Sequence, residues 1–255
     1  MTPRVFIDCF PENVARYPAD VAVVAIDVIR ATTTAATAVQ LGRRCYPVPS
    51  IEAALPIAAK LDQPVLVGEL GGNMPYGFDI TNSPAEISSR RDIWRPMILL
   101  SSSGTQLVHN AATSRAHTYV ACLRNVSATI EHLAGRHTQV AIIGAGTRGE
   151  FRDEDQFCCA RIAAGLAARG YAMGNAEAGE SIARWDGASD DAWVGSNSVE
   201  YLRRTNQLRD LDFILAHLDD LDMVFMMANG EVVAQLAATA PSAREHAGTE
   251  PAVVA

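Results

Sequence analysis

Three short stretches rich in hydroxyls and glycine each follow an apolar run: "DVIRATTT" (27–34), "SSSGT" (101–105) and "GAGTRGE" (144–150). In an open α/β sheet, ligands bind beyond the carboxyl ends of strands. Ser and Thr hydroxyls, with the free N–H groups of helix starts, make an anion site there. Arg30 and Arg148 lie inside two of the stretches, and Arg suits bidentate recognition of phosphate, carboxylate or sulfonate. Ser and Thr are also ordinary helix caps, so one stretch alone says little. Three in one chain, beside two arginines, point to an anion cradle.

The acids form a second set. Asp27 ends an apolar run, where a buried carboxylate needs a partner or a metal. Arg30 is one candidate partner. Asp79 lies in a Gly/Pro/Asn-rich loop, Glu69 ends a strand, and Glu154 and Asp155 open a helix. Oxygen ligands from several loops suit Mg²⁺, which keeps waters and takes one or two carboxylates plus substrate oxygens. The plainer alternatives are a turn at Asp79 and helix-capping acids at Glu154 and Asp155.

Other chemistries are poorly supported. Lys60 is the single lysine, which removes a Walker lysine and disfavours Schiff-base catalysis. Ile29 stands where an Asp-x-Asp phosphatase loop needs its second Asp. "GAGTRG" comes close to a dinucleotide fingerprint, but no acid ends a following strand. Cys9, Cys45, Cys122, Cys158 and Cys159 have no zinc spacing and are expected as buried reduced thiols. The six histidines show no metal spacing, and His109 and His132 are expected on helix surfaces.

The elements that must position these groups alternate. "VFIDCF", "VAVVAIDV", "RCYPVPS", "PVLVGEL", "PMILL", "TYVACL" and "QVAIIG" read as strands, and "VAVVAIDV" lacks polar alternation, as a strand covered on both faces should. Between them, 31–42, 51–62 (with Pro56 near its start), 104–112, 127–135 and 153–170 read as helices, and 71–87 as one long loop. Beyond 171 the pattern is mostly helical up to a hairpin turned at Asn229-Gly230. With 255 residues, 49% hydrophobic and 20% charged, a single large α/β domain over 1–237 is expected, with 238–255 as a disordered tail. A net charge of −8 argues against nucleic acid or an anionic membrane as partner. "MTPRVFIDCF" shows no long apolar region, so a cytoplasmic protein is expected.

Taken together, "DVIRATTT" from Asp27, "GFDITNSP" from Gly77, "SSSGT" from Ser101, "AGT" from Ala145, Glu154–Asp155 and the solitary Asn125 resemble the 2-phosphosulfolactate phosphatase (ComB-like) family. The order matches from about residue 20 to 165 and more loosely to about 235. The resemblance implies a layered mixed sheet with helices on both faces. It also implies a Mg²⁺-dependent phosphomonoester hydrolase acting on a small anionic 2-phospho acid with a sulfonate, on a route to coenzyme M. Carried over onto this chain, Asp27, Arg30 and Asp79 are the catalytic candidates. Thr32, Thr33, Asn82, Ser83, Ser102, Ser103, Gly104, Thr105, Asn125, Gly146, Thr147 and Arg148 are the substrate-binding candidates. Asp27, Asp79, Glu154 and Asp155 are the metal candidates.

Two positions depart from the family pattern. Ser101–Ser103 stand for Thr-Thr-Asn, and Ala160 stands for Gly. Serine offers one hydroxyl where Asn offers a donor and an acceptor, so a non-catalytic anion-binding protein, or a different phosphate- or sulfonate-handling enzyme, stays open. A homo-oligomer is a default for such families, and the Arg/Leu-rich segment 201–218 could supply a helix face.

Overall fold

The computed structural model describes residues 2–115 and 117–237; the tail expected at 238–255 lies outside the described residues. The strands are β1 (Arg4–Cys9), β2 (Ala22–Ile26), β3 (Cys45–Val48), β4 (Val65–Gly68), β5 (Met97–Leu100), β6 (Thr118–Ala121), β7 (Gln139–Gly144), β8 (Ala172–Met173), β9 (Met223–Ala228) and β10 (Glu231–Leu236). The helices are α1 (Ala31–Gln40), α2 (Ile51–Ala58), α3 (Pro84–Ser89), α4 (Gly104–Ser114), α5 (Val126–Leu133), α6 (Asp153–Ala167), α7 (Ala176–Trp185), α8 (Asn197–Arg204) and α9 (Leu208–Ala216). Among the described residues no helix is long and apolar enough to cross a membrane.

All ten strands join one mixed sheet in the order β4-β5-β3-β10-β9-β6-β2-β7-β1-β8. Two parallel blocks, β4-β5-β3 and β6-β2-β7-β1-β8, are separated by the antiparallel hairpin β9–β10. Asn229 and Gly230 turn that hairpin with φ of 53° and 81°, the primed geometry that matches strand twist. β2 explains its own uniform apolarity. Ala22, Val24 and Ile26 enter the core beneath α5–α9, while Val23 and Ala25 enter the core beneath α1 and α4. Both faces are covered, so no position needs to be polar.

α1 and α4 bind the two blocks together. α1 leaves β2 and packs on β3, β5, β6 and β10; α4 leaves β5 and packs back on β2, β3 and β6. The small side chains of α1 permit this close burial, with Ala31 through Ala38 all inside. Its end is a Schellman turn: Gly42, at φ 87°, donates to Val39 and Arg43 donates to Ala38, both at 2.9 Å.

Several expectations change. Pro56 lies late in α2, not near its start, and the helix ends two residues later in short three-residue bonds from Lys60 and Leu61. The long loop ends in α3, which Pro84 opens and Ser83 caps by accepting from Glu86. The C-terminal helical stretch is divided into α8 and α9, and α7 and β8 precede them. Leu202, Leu211 and Ile214, within the Arg/Leu-rich segment 201–218, are core residues. The five cysteines are free and buried, as expected.

His132 is buried rather than on a helix surface, and His109 is half-buried. The Tyr119 hydroxyl lies 3.3 Å from His132 Nε2 and 2.8 Å from His137 Nε2. Burial, then the neighbouring His117, His132 and Arg136, push His137 down to about 4. The unfolded chain, with an ordinary His near pH 6.5, takes up this proton while the folded state refuses it. His137 therefore removes stability as pH falls from about 6.5 to about 4, and its effect vanishes above that window. Denaturant titrations at several pH values should show a shallower acid-side loss for His137→Gln than for the parent; equal slopes would contradict this assignment.

Candidate functional site

A cleft of about 530 Å³ opens where the exits of β2, β4, β5 and β7 meet the start of α8. Its volume suits a small ligand. Asp27, Arg30, Asn82, Ser102, Ser103, Thr147 and Arg148 all line it, so the structure brings together residues from all three hydroxyl-rich stretches. Arg30 and Ser103 occupy the positions that cap α1 and α4, and neither side chain makes a capping bond. Asn197 and Ser198, in the first turn of α8, add a third helix start. Helix N-termini carry partial positive charge and free N–H groups, so the cleft favours an anion before any side chain is counted.

Asp27 and Glu69 line the cleft, and two further acids, Glu154 and Asp155, are buried behind it without lining it. Asp27 is only 7% exposed. Burial first, then the carboxylates of Glu69 and Glu154, raise its pKa to about 7; the Ala31 N–H and Arg30 pull the other way. Burial likewise raises Glu154, against hydrogen bonds from Ser198 and Ser196, and raises Asp155, with Asp27 and Glu154 adding to it. Glu154 Oε2 is buried without a hydrogen-bond partner. Glu69, by contrast, is fully engaged: its oxygens accept from Ser102 N at 2.7 Å, Gly72 N at 2.8 Å and the Ser102 hydroxyl at 3.0 Å. Asp155 Oδ1 accepts from Val28 N at 2.8 Å and so fixes the strand exit that carries Asp27.

The remaining candidates divide. Thr32 exchanges bonds with the backbone of Asp27 at 2.8 and 3.0 Å, and Thr33 donates to Val28 O at 2.8 Å; these hydroxyls brace the exit of β2 and do not line the cleft. Thr105 does the same for Ser101. Asn125 is wholly buried, accepting from Cys122 N and donating to Met223 O, which holds the β6 exit against β9. Ser83 is an interior cap. Asp79 is a correction to the sequence reading. It is exposed, outside the cleft, and accepts from Leu66 N at 2.8 Å, completing the edge of β4. Arg30 is also not the partner expected for Asp27, because it pairs with Asp210 at 2.5 Å.

Two glycines are required by close approach. A Cβ on Gly104 would stand 2.0 Å from Asp27 Oδ2 and 2.7 Å from Ala31 Cβ. One on Gly146, at φ 58°, would meet Cys9 Sγ at 2.6 Å. Arg148 and Gly149 form the tip of a tight turn closed by Thr147 and Glu150, both with positive φ, which is why a glycine follows the arginine.

A family model described as 2-phosphosulpholactate phosphatase matches residues 9–230. A protein of Deinococcus radiodurans named "Probable 2-phosphosulfolactate phosphatase" is 34% identical over 214 residues, 82% of this chain and 88% of that one. One of Symbiobacterium thermophilum with the same name is 34% identical over 219 residues, 82% and 92% of the two chains. A third, from Thermus thermophilus, is 38% identical over 162 residues, 63% and 67%.

The chain belongs to the 2-phosphosulpholactate phosphatase family. The resemblance read from its motifs is thus borne out. The motifs do not announce the far wall of the cleft. Arg152, Tyr201 and Arg204 line it, and the Tyr201 hydroxyl donates to Gly72 O, tying α8 to the loop after β4. Asn197 and Arg152 both reach Glu150, at 3.1 and 2.7 Å. Periodicity places these residues only on a polar helix face; a count of arginines near 148–152 and 203–204 is the one available hint.

Gly104→Ala should force Asp27 or α4 to move. The expected result is a loss of ~1–3 kcal/mol of stability, as for other overpacked sites, together with loss of ligand binding. Thermal melts and a ligand titration would check it; an unchanged protein would mean that the Gly104–Asp27 contact is not a constraint.

Proposed function

We propose that the chain hydrolyses a small 2-phospho acid, 2-phospho-3-sulfolactate in the first instance, to the 2-hydroxy acid and inorganic phosphate. One observation carries the reading: in a member of this family, Asp27, Arg30 and the starts of α1 and α4 meet in one small-ligand cleft.

Phosphomonoester hydrolysis is among the slowest uncatalysed reactions, and its transition state spreads charge over the phosphoryl oxygens. Catalysis is therefore mostly positioning and charge stabilisation. Arg30, with the partial positive charge at the starts of α1 and α4, would hold the phosphoryl oxygens. Arg148, Arg152 and Arg204 stand on the cleft for the carboxylate and sulfonate. Asp27 is the acid placed to attack phosphorus or to take the proton of an attacking water.

The group of Asp27, Glu69, Glu154 and Asp155 fits a hard cation. Its donors are oxygens only, its carboxylates raise one another's pKa, and Glu154 Oε2 is buried and unpartnered. Among the described residues no three acidic, His or Cys side chains converge as a ready metal cluster. Mg²⁺ typically keeps waters and takes one or two carboxylates. Asp27, which lines the cleft, and Glu154, whose Oε2 is buried and unpartnered, are the proposed protein ligands; Glu69 already accepts three hydrogen bonds, Asp155 braces Val28 N, and Asp79 does not line the cleft. When bound, Mg²⁺ supplies charge neutralisation at the phosphate oxygens.

The test is phosphate release from a panel of small phosphoesters, including 2-phospho-3-sulfolactate and 2-phospholactate, with and without Mg²⁺. Metal-dependent release is expected. Asp27→Asn should lower kcat ~10²–10⁴-fold, whereas Asp79→Asn should stay within about twofold, as other exposed substitutions do. Silence across the panel with anion binding intact would favour a sensor, and full turnover by Asp27→Asn would remove Asp27 from the chemistry.

A further inference from the structure

Arg30 is held by a residue that belongs to none of the sequence motifs. Its Nη1 donates to Asp210 Oδ2 at 2.5 Å and also to Gln207 Oε1. Among the described residues its Nε and Nη2 make no hydrogen bond, although the side chain lines the cleft. The other oxygen of Asp210 accepts from the Ser83 hydroxyl and, at 3.3 Å, from Ala85 N. Ser83 directly follows Asn82, which lines the cleft and whose Oδ1 is buried and unpartnered. One carboxylate of α9 thus holds the cleft residue Arg30 directly and, through Ser83, the chain next to the cleft residue Asn82.

Stability alone does not account for this pair. The side chains of Arg30 and Asp210 are 4% and 0% exposed. At such burial the desolvation cost rivals the Coulombic gain, and apolar replacements of equal volume are often as stable. What the pair does secure is orientation. Anchoring through Nη1 alone leaves the Nε/Nη2 edge of a rigid fork free, and that edge matches two oxygens of a phosphoryl group.

We infer that Asp210 is a positioning residue for the phosphoryl group: it anchors Nη1 of Arg30 so that the Nε/Nη2 edge receives phosphate oxygens, and through Ser83 it sets Asn82 in the same cleft. This inference rests on the phosphatase reading. It makes a prediction opposite to simple electrostatics. Asp210→Asn adds one positive charge near the ligand, so a residue that merely neutralised Arg30 would, when changed, tighten anion binding.

The experiment measures inorganic phosphate affinity by calorimetry in the presence of Mg²⁺, with melting temperatures for every variant. Asp210→Asn is expected to weaken phosphate ~10–100-fold, the scale of a lost charge-assisted hydrogen bond. Arg30→Gln should weaken it comparably, and the double variant should lose clearly less than the sum of the two single losses, the remainder being the Ser83–Asn82 arm. Unchanged or tighter binding by Asp210→Asn, or additive losses in the double variant, would overturn the proposal. If Asp210→Asn does not fold, Gln207→Ala and Ser83→Ala each remove one strut of the same arrangement and should weaken phosphate several-fold; unchanged affinity in both would overturn it. Parent protein that binds phosphate but hydrolyses no ester sinks the phosphatase reading alone, leaving the Asp210 comparison readable. Parent protein that binds no phosphate overturns both.

Discussion

Carboxylates held out of water at the end of one sheet are the constraint around which the rest of the cleft is arranged. Asp27, Glu154 and Asp155 are all nearly inaccessible and lie within one another's fields. Such a group is costly unless hydrogen bonds, cations or protons offset it. The surrounding structure supplies several of these. Val28 N bonds Asp155, Ser196 and Ser198 face Glu154, and the start of α1 faces Asp27. Gly104 is bare because Asp27 occupies the space a side chain would need. What stays uncompensated, at Asp27 and Glu154, is what a hard cation would complete.

The sheet topology gathers these groups. The loops that line the cleft come from both parallel blocks, which the β9–β10 hairpin holds apart. α1 and α4 run in opposite senses between the blocks, and their starting turns meet beside Asp27. The face opposite α1 and α4 contributes through α8 and α9. α8 closes one wall of the cleft, and α9 sends Asp210 inward to Arg30. The shape of the cleft therefore depends on a C-terminal segment that carries no motif.

Many residues of the recurring motifs work behind the cleft rather than in it. Thr32, Thr33, Thr105 and Asn125 bond to strand ends and loop peptides. Their hydroxyl and amide groups satisfy backbone that would otherwise be orphaned where strands stop. Motif membership could not separate scaffold from cleft lining, because a cap and a ligand donor use the same atoms.

Local sequence was sufficient for the alternation of strands and helices, the two-sided burial of β2, the Gly42 helix stop, the Asn229-Gly230 turn and the gathering of three polar loops. Each follows from periodicity or from a backbone conformation that few residues adopt. The break between α8 and α9, the exposure of Asp79, the burial of His132 and the pairing of Arg30 with Asp210 across 180 residues were decided only by the tertiary structure. The reason is physical: whether a carboxylate meets a cation, a backbone N–H or water depends on which distant elements pack against it, and residue type and spacing specify only the side chain's capacity for each.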